Sequence, residues 1–338
     1  MTYRDILEQQ AAKRPNNLKW WPSFFYHFTD VHNAISIIKS GWIMSREQAV
    51  QSGVMAHDNA SHAVIEATDV SSSGYGRLYF RPLTPTQYHN EGYKPEAVRD
   101  KEINASCPVP VFFCLSSVAT LSYPGTKFAS KGLAGHRHNI QEGEEAFSEL
   151  KFDKIYHDGW YDTAMDNDIK EYRQSEVLRE NGFPLEPLLR CILCRSEAEK
   201  ETLLFLIKSY SMRMYNSYKE RIFYKPQLKC FYNNGIFLKK VWVNNDKILF
   251  ELNEPQQRKS NRDKKIEFKV DINLEYIKES GEVIAAETRS RILDYLKVKT
   301  MMTPLNVDSS FDSVRCKVTF DGEEMYENEL DIKGNILL

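Results

Sequence analysis

The chain has 338 residues, 42% of them hydrophobic and 27% charged, with a formal net charge of −2. That is enough apolar material for one large or two medium domains. A pI near 6.5 argues against a protein that coats DNA through bulk charge, while a neutral chain can still carry a locally basic groove.

Met1 to Pro15 is polar and charged, with no apolar signal core, and no apolar run of about 18 residues follows. No membrane span is expected, and the expected location is the cytoplasm. The six cysteines, Cys107, Cys114, Cys191, Cys194, Cys230 and Cys316, are scattered and fit reduced thiols. Cys191-Ile-Leu-Cys194 has C-x-x-C spacing but no second ligand pair, so it reads as two core cysteines in a strand.

In chain order, Met1 to Asn17 reads as a polar helix ending near Pro15. Trp20 to Phe28 is aromatic and reads as the first strand. Thr29 or Asp30 then caps a helix with Val31, Ala34, Ile35 and Ile38 at helical spacing and Gly41 at its stop. Ser52 to Gly76 is a polar loop. Leu78-Tyr79-Phe80 and Val109 to Leu115 are short strands. Ser122 to Gly143, with four glycines among Lys127, Lys131, His136, Arg137 and His138, reads as a mobile basic loop, and Ile155 to Asn167 as an acidic, aromatic one. Ser196-Glu197-Ala198-Glu199 reads as a capping box opening one long helix to about Arg221. Beyond Pro226 the pattern changes to short alternating stretches and Asn/Gly turns, ending in a hairpin at Val314 to Tyr326. Domains are therefore expected at 1–228 and, strand-rich, 229–338. Arg258 to Lys269 is a basic run, read as a solvated loop or a phosphate contact.

The chemistry concentrates at Tyr172-Arg173-Gln174-Ser175-Glu176-Val177-Leu178. It sets one carboxylate, Glu176, at a strand start beside an acidic loop. Such a group can grip a ribose 2′-hydroxyl and take a proton from a nucleophile. Two other segments accompany it: Tyr26-His27-Phe28-Thr29-Asp30 running through Asn33 to Gly41, and Gly76-Arg77-Leu78-Tyr79-Phe80-Arg81-Pro82-Leu83-Thr84-Pro85. In order and character these three resemble the DarT family of ADP-ribosyltransferase toxins, over roughly residues 20 to 195. The resemblance implies an α+β fold, an ADP-ribosyltransferase-like split β core with flanking helices, here followed by a smaller strand-rich C-terminal domain outside the resemblance.

It also implies NAD as co-substrate and a base of single-stranded DNA or RNA as acceptor. By analogy Glu176 and Arg81 are catalytic. His27, Thr29, Asn33, Tyr79 and Arg77 bind NAD, and Tyr161, Trp160, Tyr172, Gln174 and Arg137 bind the nucleic acid, with the loop's aromatic rings stacking on an unpaired base. The family's arginine lies between the two prolines, where this chain has Leu83-Thr84; Arg81 precedes the first, and Arg77 is its rival. A toxin of this kind implies a cognate antitoxin, with or without a chaperone, in a toxin-antitoxin phage-defence setting. Two other readings stand beside it: a protein ADP-ribosyltransferase, and a non-catalytic nucleic-acid-binding module. His57, Asp58, His62, His136 and His138 lack the paired helical spacing of a metal centre, so no metal is expected.

Overall fold

A computed structural model describes residues 1–53, 74–99, 106–133, 140–162, 167–255, 265–306 and 311–332. The first ten strands are β1 (Phe24–Asp30), β2 (Trp42–Ile43), β3 (Tyr75–Tyr79), β4 (Pro110–Ser116), β5 (Thr126–Ala129), β6 (Ile140–Gln141), β7 (Glu176–Glu180), β8 (Phe183–Pro184), β9 (Leu189–Cys194) and β10 (Ile222–Tyr224). Eight of them form one sheet in the order β10-β9-β4-β1-β3-β7-β5-β6. Its halves, β10-β9-β4-β1 and β3-β7-β5-β6, meet through one registered pair, Tyr26 opposite Tyr79. The sheet is thus close to split at that junction, as the family fold implies.

Strand residues alternate between faces. One face, with Phe25, Val111, Phe113, Leu115, Phe128, Val177 and Ile192, belongs to the main core, which also takes in Ile6, Leu7, Val31, Ala34, Ile38 and Phe147 from helices. Helix Val31–Ser40 begins at Asp30, whose carboxylate accepts the His32 N–H at 3.0 Å. It ends at Gly41, whose φ of 71° is left-handed and suits glycine.

Several sequence expectations shift. The polar N-terminal helix covers only Tyr3–Ala12. The expected basic loop from Ser122 to Gly143 contains β5 and β6, because Phe128 and Ala129 pair with Val177 and Glu176. Helix Glu197–Tyr210 does open at Ser196, but Ser211 is extended (φ −160°) and caps a second helix, Met212–Tyr218. Cys191 lies opposite Cys114 across β9 and β4, and all six cysteines are free thiols.

The C-terminal part holds β11 (Leu238–Asn244), β12 (Lys247–Leu252), β13 (Glu267–Ile277), β14 (Val283–Asp294), β15 (Thr300–Pro304), β16 (Ser313–Phe320) and β17 (Glu323–Asp331). They make a three-stranded sheet, β11-β12-β15, and a four-stranded one, β14-β13-β16-β17, which share a core including Val241, Ile248, Phe250, Val270, Ile272, Leu274, Val318 and Phe320. Most of the basic run Arg258 to Lys269 falls outside the described residues.

A buried charge cluster ties this part to the first. Glu91, Arg195 and Glu199 have fully buried side chains. Arg195 donates to both Glu199 oxygens, to the Pro108 carbonyl at 2.9 Å and to that of Asn234 at 3.3 Å, and its guanidinium lies 3.8 Å from the centre of the Phe237 ring. Glu91 accepts the backbone N–H groups of Tyr232 (2.9 Å), Asn233 (2.6 Å) and Asn234 (3.3 Å) and the Gln87 side-chain amide at 2.7 Å. The two backbones touch here: a Cβ on Gly92 would sit 1.9 Å from the Asn234 carbonyl, and one on Gly235 2.3 Å from that of Tyr93. Helix Glu197–Tyr210 also meets the second part directly, through Ser196 with the Leu238 carbonyl (2.7 Å) and Tyr326 with Glu201 (3.0 Å).

Burial pushes the Glu199 carboxyl up to about 7, against the pull of Arg195, and burial also raises Glu91. Removing the cation leaves two buried acids, so Arg195→Met is expected to lower stability by about 3–5 kcal/mol at neutral pH. The loss shrinks as pH falls and the acids take up protons. Urea unfolding at pH 7.5 and pH 5.5 checks both the size and the direction.

Candidate active site

The sheet junction carries the chemistry. Glu176 is the first residue of β7, flanked by Tyr79 on β3 and Ala129 on β5. The preceding residue fixes that strand start: the Ser175 hydroxyl lies 2.6 Å from the carbonyls of both Ser130 and Tyr172, and its carbonyl accepts the Phe80 N–H. The Glu176 side chain is 7% exposed. Oε2 accepts the backbone N–H of Leu133 at 3.1 Å, and Arg77 Nη1 lies 3.8 Å from Oε1.

Burial raises the Glu176 pKa; Arg77 and the Leu133 N–H pull it back. A carboxylate shifted this way is a better proton acceptor than a solvated one. Tyr79 beside it is pushed up to about 12, by burial and then by the Glu176 charge, and bonds to Thr86. Its hydroxyl therefore stays protonated.

Around this centre the structure sorts the other predicted residues. Alternation puts Arg77 and Tyr79 on the Glu176 face of the sheet and sends His27 and Thr29 to the opposite face, with Phe113 and Val111 across the strand pair. His27, expected as an NAD-binding residue, thus lies across the sheet from Glu176, because register, which the motif does not contain, sets its direction. His27 Nδ1 is 3.2 Å from the Arg77 carbonyl. A carbonyl only accepts, so Nδ1 carries the proton and Nε2 is an acceptor. Burial holds the ring near a pKa of about 4, hence neutral. Thr29 is buried and Asn33 half-buried on helix Val31–Ser40.

Arg81, expected to be catalytic, is enclosed by the protein. It is 1% exposed and lies 4.4 Å from the centre of the Trp21 ring. It donates to the carbonyls of Pro82 (2.9 Å), Ile155 (3.5 Å) and His157, and stands 3.7 Å from Asp158. Those donors clasp the 155–158 segment to the sheet rather than facing outward. Burial, then repulsion from Arg173, lowers its pKa to about 9.

The loop held by that clasp splits in two. Tyr156 and Tyr172 are core residues, at 1% and 7% exposure; the ring of Tyr172, expected to bind substrate, packs inward beneath Lys131, Lys151 and Lys154. Trp160 is 87% exposed and Tyr161 half-buried. Arg173 anchors this tip, bonding His157 Nδ1 (2.8 Å) and the Gly159 carbonyl (2.6 Å) and lying 4.5 Å from the Tyr161 ring centre. Gln174 packs against Gly132, where a Cβ would come within 3.1 Å of it. Arg137 lies outside the described residues. The Leu133 N–H, Arg173 and Thr86 went unassigned in the sequence, since a backbone donor 43 positions from its acceptor leaves no local pattern. A separate cleft of about 630 Å³, lined in part by Lys225, Lys229, Phe231 and Lys299, does not include Glu176. Among the described residues no group of side chains could hold a metal ion, and no helix is long and apolar enough to cross a membrane.

A family model described as "ssDNA thymidine ADP-ribosyltransferase, DarT" matches residues 26–224. The chain belongs to the DarT family. It is accordingly an NAD-dependent ADP-ribosyltransferase. Three solved structures of DarT from Thermus sp. 2.9 are similar to it. The complex with NAD+ is 16% identical, with a TM-score of 0.44, over 62% of this chain and 98% of that one. The complex with ADP-ribosylated ssDNA is 17% identical, with a TM-score of 0.47, over 62% and 97%. The complex with carba-NAD+ is 17% identical, with a TM-score of 0.46, over 65% and 100%. No curated protein matches the chain. The matched DarT segment ends at Tyr224, before β11 to β17.

Because burial favours the neutral Glu176 carboxyl, the unionised isostere should cost the fold nothing at neutral pH. Glu176→Gln is expected to melt at or above the wild-type temperature at pH 7.5. As pH falls through the raised Glu176 pKa, wild-type Glu176 takes up its proton and that advantage fades. Paired thermal melts at pH 7.5 and pH 4.5 test this sign; a variant that melts well below wild type at pH 7.5 contradicts it.

Proposed function

We propose that this DarT-family enzyme transfers ADP-ribose from NAD to a thymine base of single-stranded DNA, with Glu176 as the base and ribose-gripping group. The observation that carries the reading is the buried Glu176 carboxylate, fixed by the Leu133 N–H beside Arg77 and Tyr79. In the reaction the bond between nicotinamide nitrogen and ribose C1 breaks, and nicotinamide leaves neutral with the electron pair. Positive charge develops on the ribose, as in glycoside cleavage. A carboxylate held in a water-poor pocket stabilises that charge strongly. Thymine offers one ring N–H in DNA; its nitrogen bonds C1 and its proton passes to Glu176.

Arg77 is the cation beside Glu176 and is assigned to the NAD phosphates, for which a guanidinium is suited. The exposed Trp160 and half-buried Tyr161 are assigned to stacking on the unpaired strand. A base must leave the duplex stack before its ring nitrogen can react, which favours single-stranded substrate. RNA is the competing acceptor. We assign 1–228 to transfer and 229–338 to an accessory role, the surface where a cognate antitoxin, with or without a chaperone, would restrain a DNA-modifying toxin of phage defence.

Adenine-labelled NAD, incubated separately with single-stranded DNA, RNA and a protein lysate, tests the substrate class. Label is expected in thymine-containing DNA and lost on the order of 10²–10⁴-fold in Glu176→Gln. Label confined to protein overturns the nucleobase assignment, and label confined to RNA overturns DNA.

A further inference from the structure

The transferase site does not end where the family match ends. Residues 230–234 lie beyond Tyr224, yet they close onto the loop that follows Tyr79 and Arg81. The Tyr232 hydroxyl donates to the Leu83 carbonyl at 2.7 Å. Leu83 has a φ of 59°, a left-handed conformation that a leucine adopts only when its surroundings impose it. Its N–H is bound by Gln87 Oε1 at 2.6 Å, and the Gln87 amide donates in turn to Glu91 at 2.7 Å and to the Cys230 carbonyl at 2.8 Å. Glu91 holds the backbone of Tyr232 and Asn233. The ring is closed: Glu91 fixes the segment, the segment presents Tyr232, and Tyr232 with Gln87 pins Leu83.

What Leu83 sits between gives this its consequence. On one side is Arg81, which clasps the carbonyls of Ile155 and His157 and so sets the base of the Trp160–Tyr161 tip. On the other is Thr86, bonded to Tyr79 beside Glu176. The Tyr232 ring meets Tyr88 edge to face at 5.2 Å, which orients the hydroxyl independently of the bond it makes.

We propose that Tyr232 is a positioning residue for the transferase, supplied by the segment outside the family match, and that it acts by holding Leu83 in its left-handed conformation. This rests on the functional reading above. Without the hydroxyl the Leu83 backbone relaxes, and both Arg81 and Thr86 lose their fixed placement. Small misplacements of this kind cost catalysis far more than they cost folding.

The test uses the full chain. Tyr232→Phe keeps the ring against Tyr88 and removes only the hydroxyl. It is expected to lower kcat/KM for DNA labelling by roughly tenfold or more, with the thermal midpoint nearly unchanged. Amide exchange of the 82–88 peptide should speed up in the same variant. A Tyr232→Phe enzyme with wild-type labelling overturns the proposal, as does one whose 82–88 exchange is that of wild type. Should wild type label no DNA, the substrate reading fails by itself, and the exchange measurement still decides whether Tyr232 holds the loop.

Discussion

The Glu91 carboxylate is the constraint on which most of this architecture depends. A buried carboxylate is costly unless its oxygens are filled. Here four donors fill them, three from the backbone of residues 232–234 and one from Gln87, with Arg195 3.9 Å away. Arg195 in turn lies at the end of β9, caught between the helix that starts at Glu197 and the Asn234 carbonyl. One network thus joins the large sheet, helix Glu197–Tyr210, helix Pro85–Asn90 and the chain leading into the C-terminal sheets. Apolar packing would have joined these elements less specifically. Charges that must find particular partners fix the geometry, because any displacement leaves an unpaired group in a dry interior.

The active site uses the same physics with a different set of partners. Burial raises both Glu176 and Glu91. Among the described residues Glu176 has one backbone donor and one cation at 3.8 Å, against the four donors around Glu91. A structural carboxylate is surrounded until it can do nothing more, whereas a reactive one is left short of partners. The two arginines near the site divide in the same way. Arg81 spends its donors on three backbone carbonyls. Arg77, a quarter exposed, stands next to the carboxylate.

The sheet junction explains why the site forms there. β1 and β3 share a single registered pair, so the ladder is weakest between the two halves. Tyr79, Arg77 and Glu176 line that junction on one face, while the largest hydrophobic cluster occupies the other. Three separated segments of the family motif become neighbours because β1, β3 and β7 are consecutive in the sheet, and the β3 and β7 segments bring Arg77, Tyr79 and Glu176 to one face.

The sequence by itself determined the local elements and the chemical type. Asp30 and Gly41 bracket the helix at Val31–Ser40, Ser196 opens the helix at Glu197, and Asp321-Gly322 turns the last hairpin, because caps and turns act over a few residues. The order of the three motifs pointed to the family, and the strand start placed Glu176 beside the loop. Tertiary structure alone decided which side chains meet. His27 turns away from Glu176 through strand register. Arg81 is buried under Trp21, Tyr172 packs into the core, Leu133 lends its N–H, and Tyr232 reaches Leu83 across 149 positions of sequence. Burial and partnership are set by contacts distant in the chain, and no local pattern of residue types encodes them.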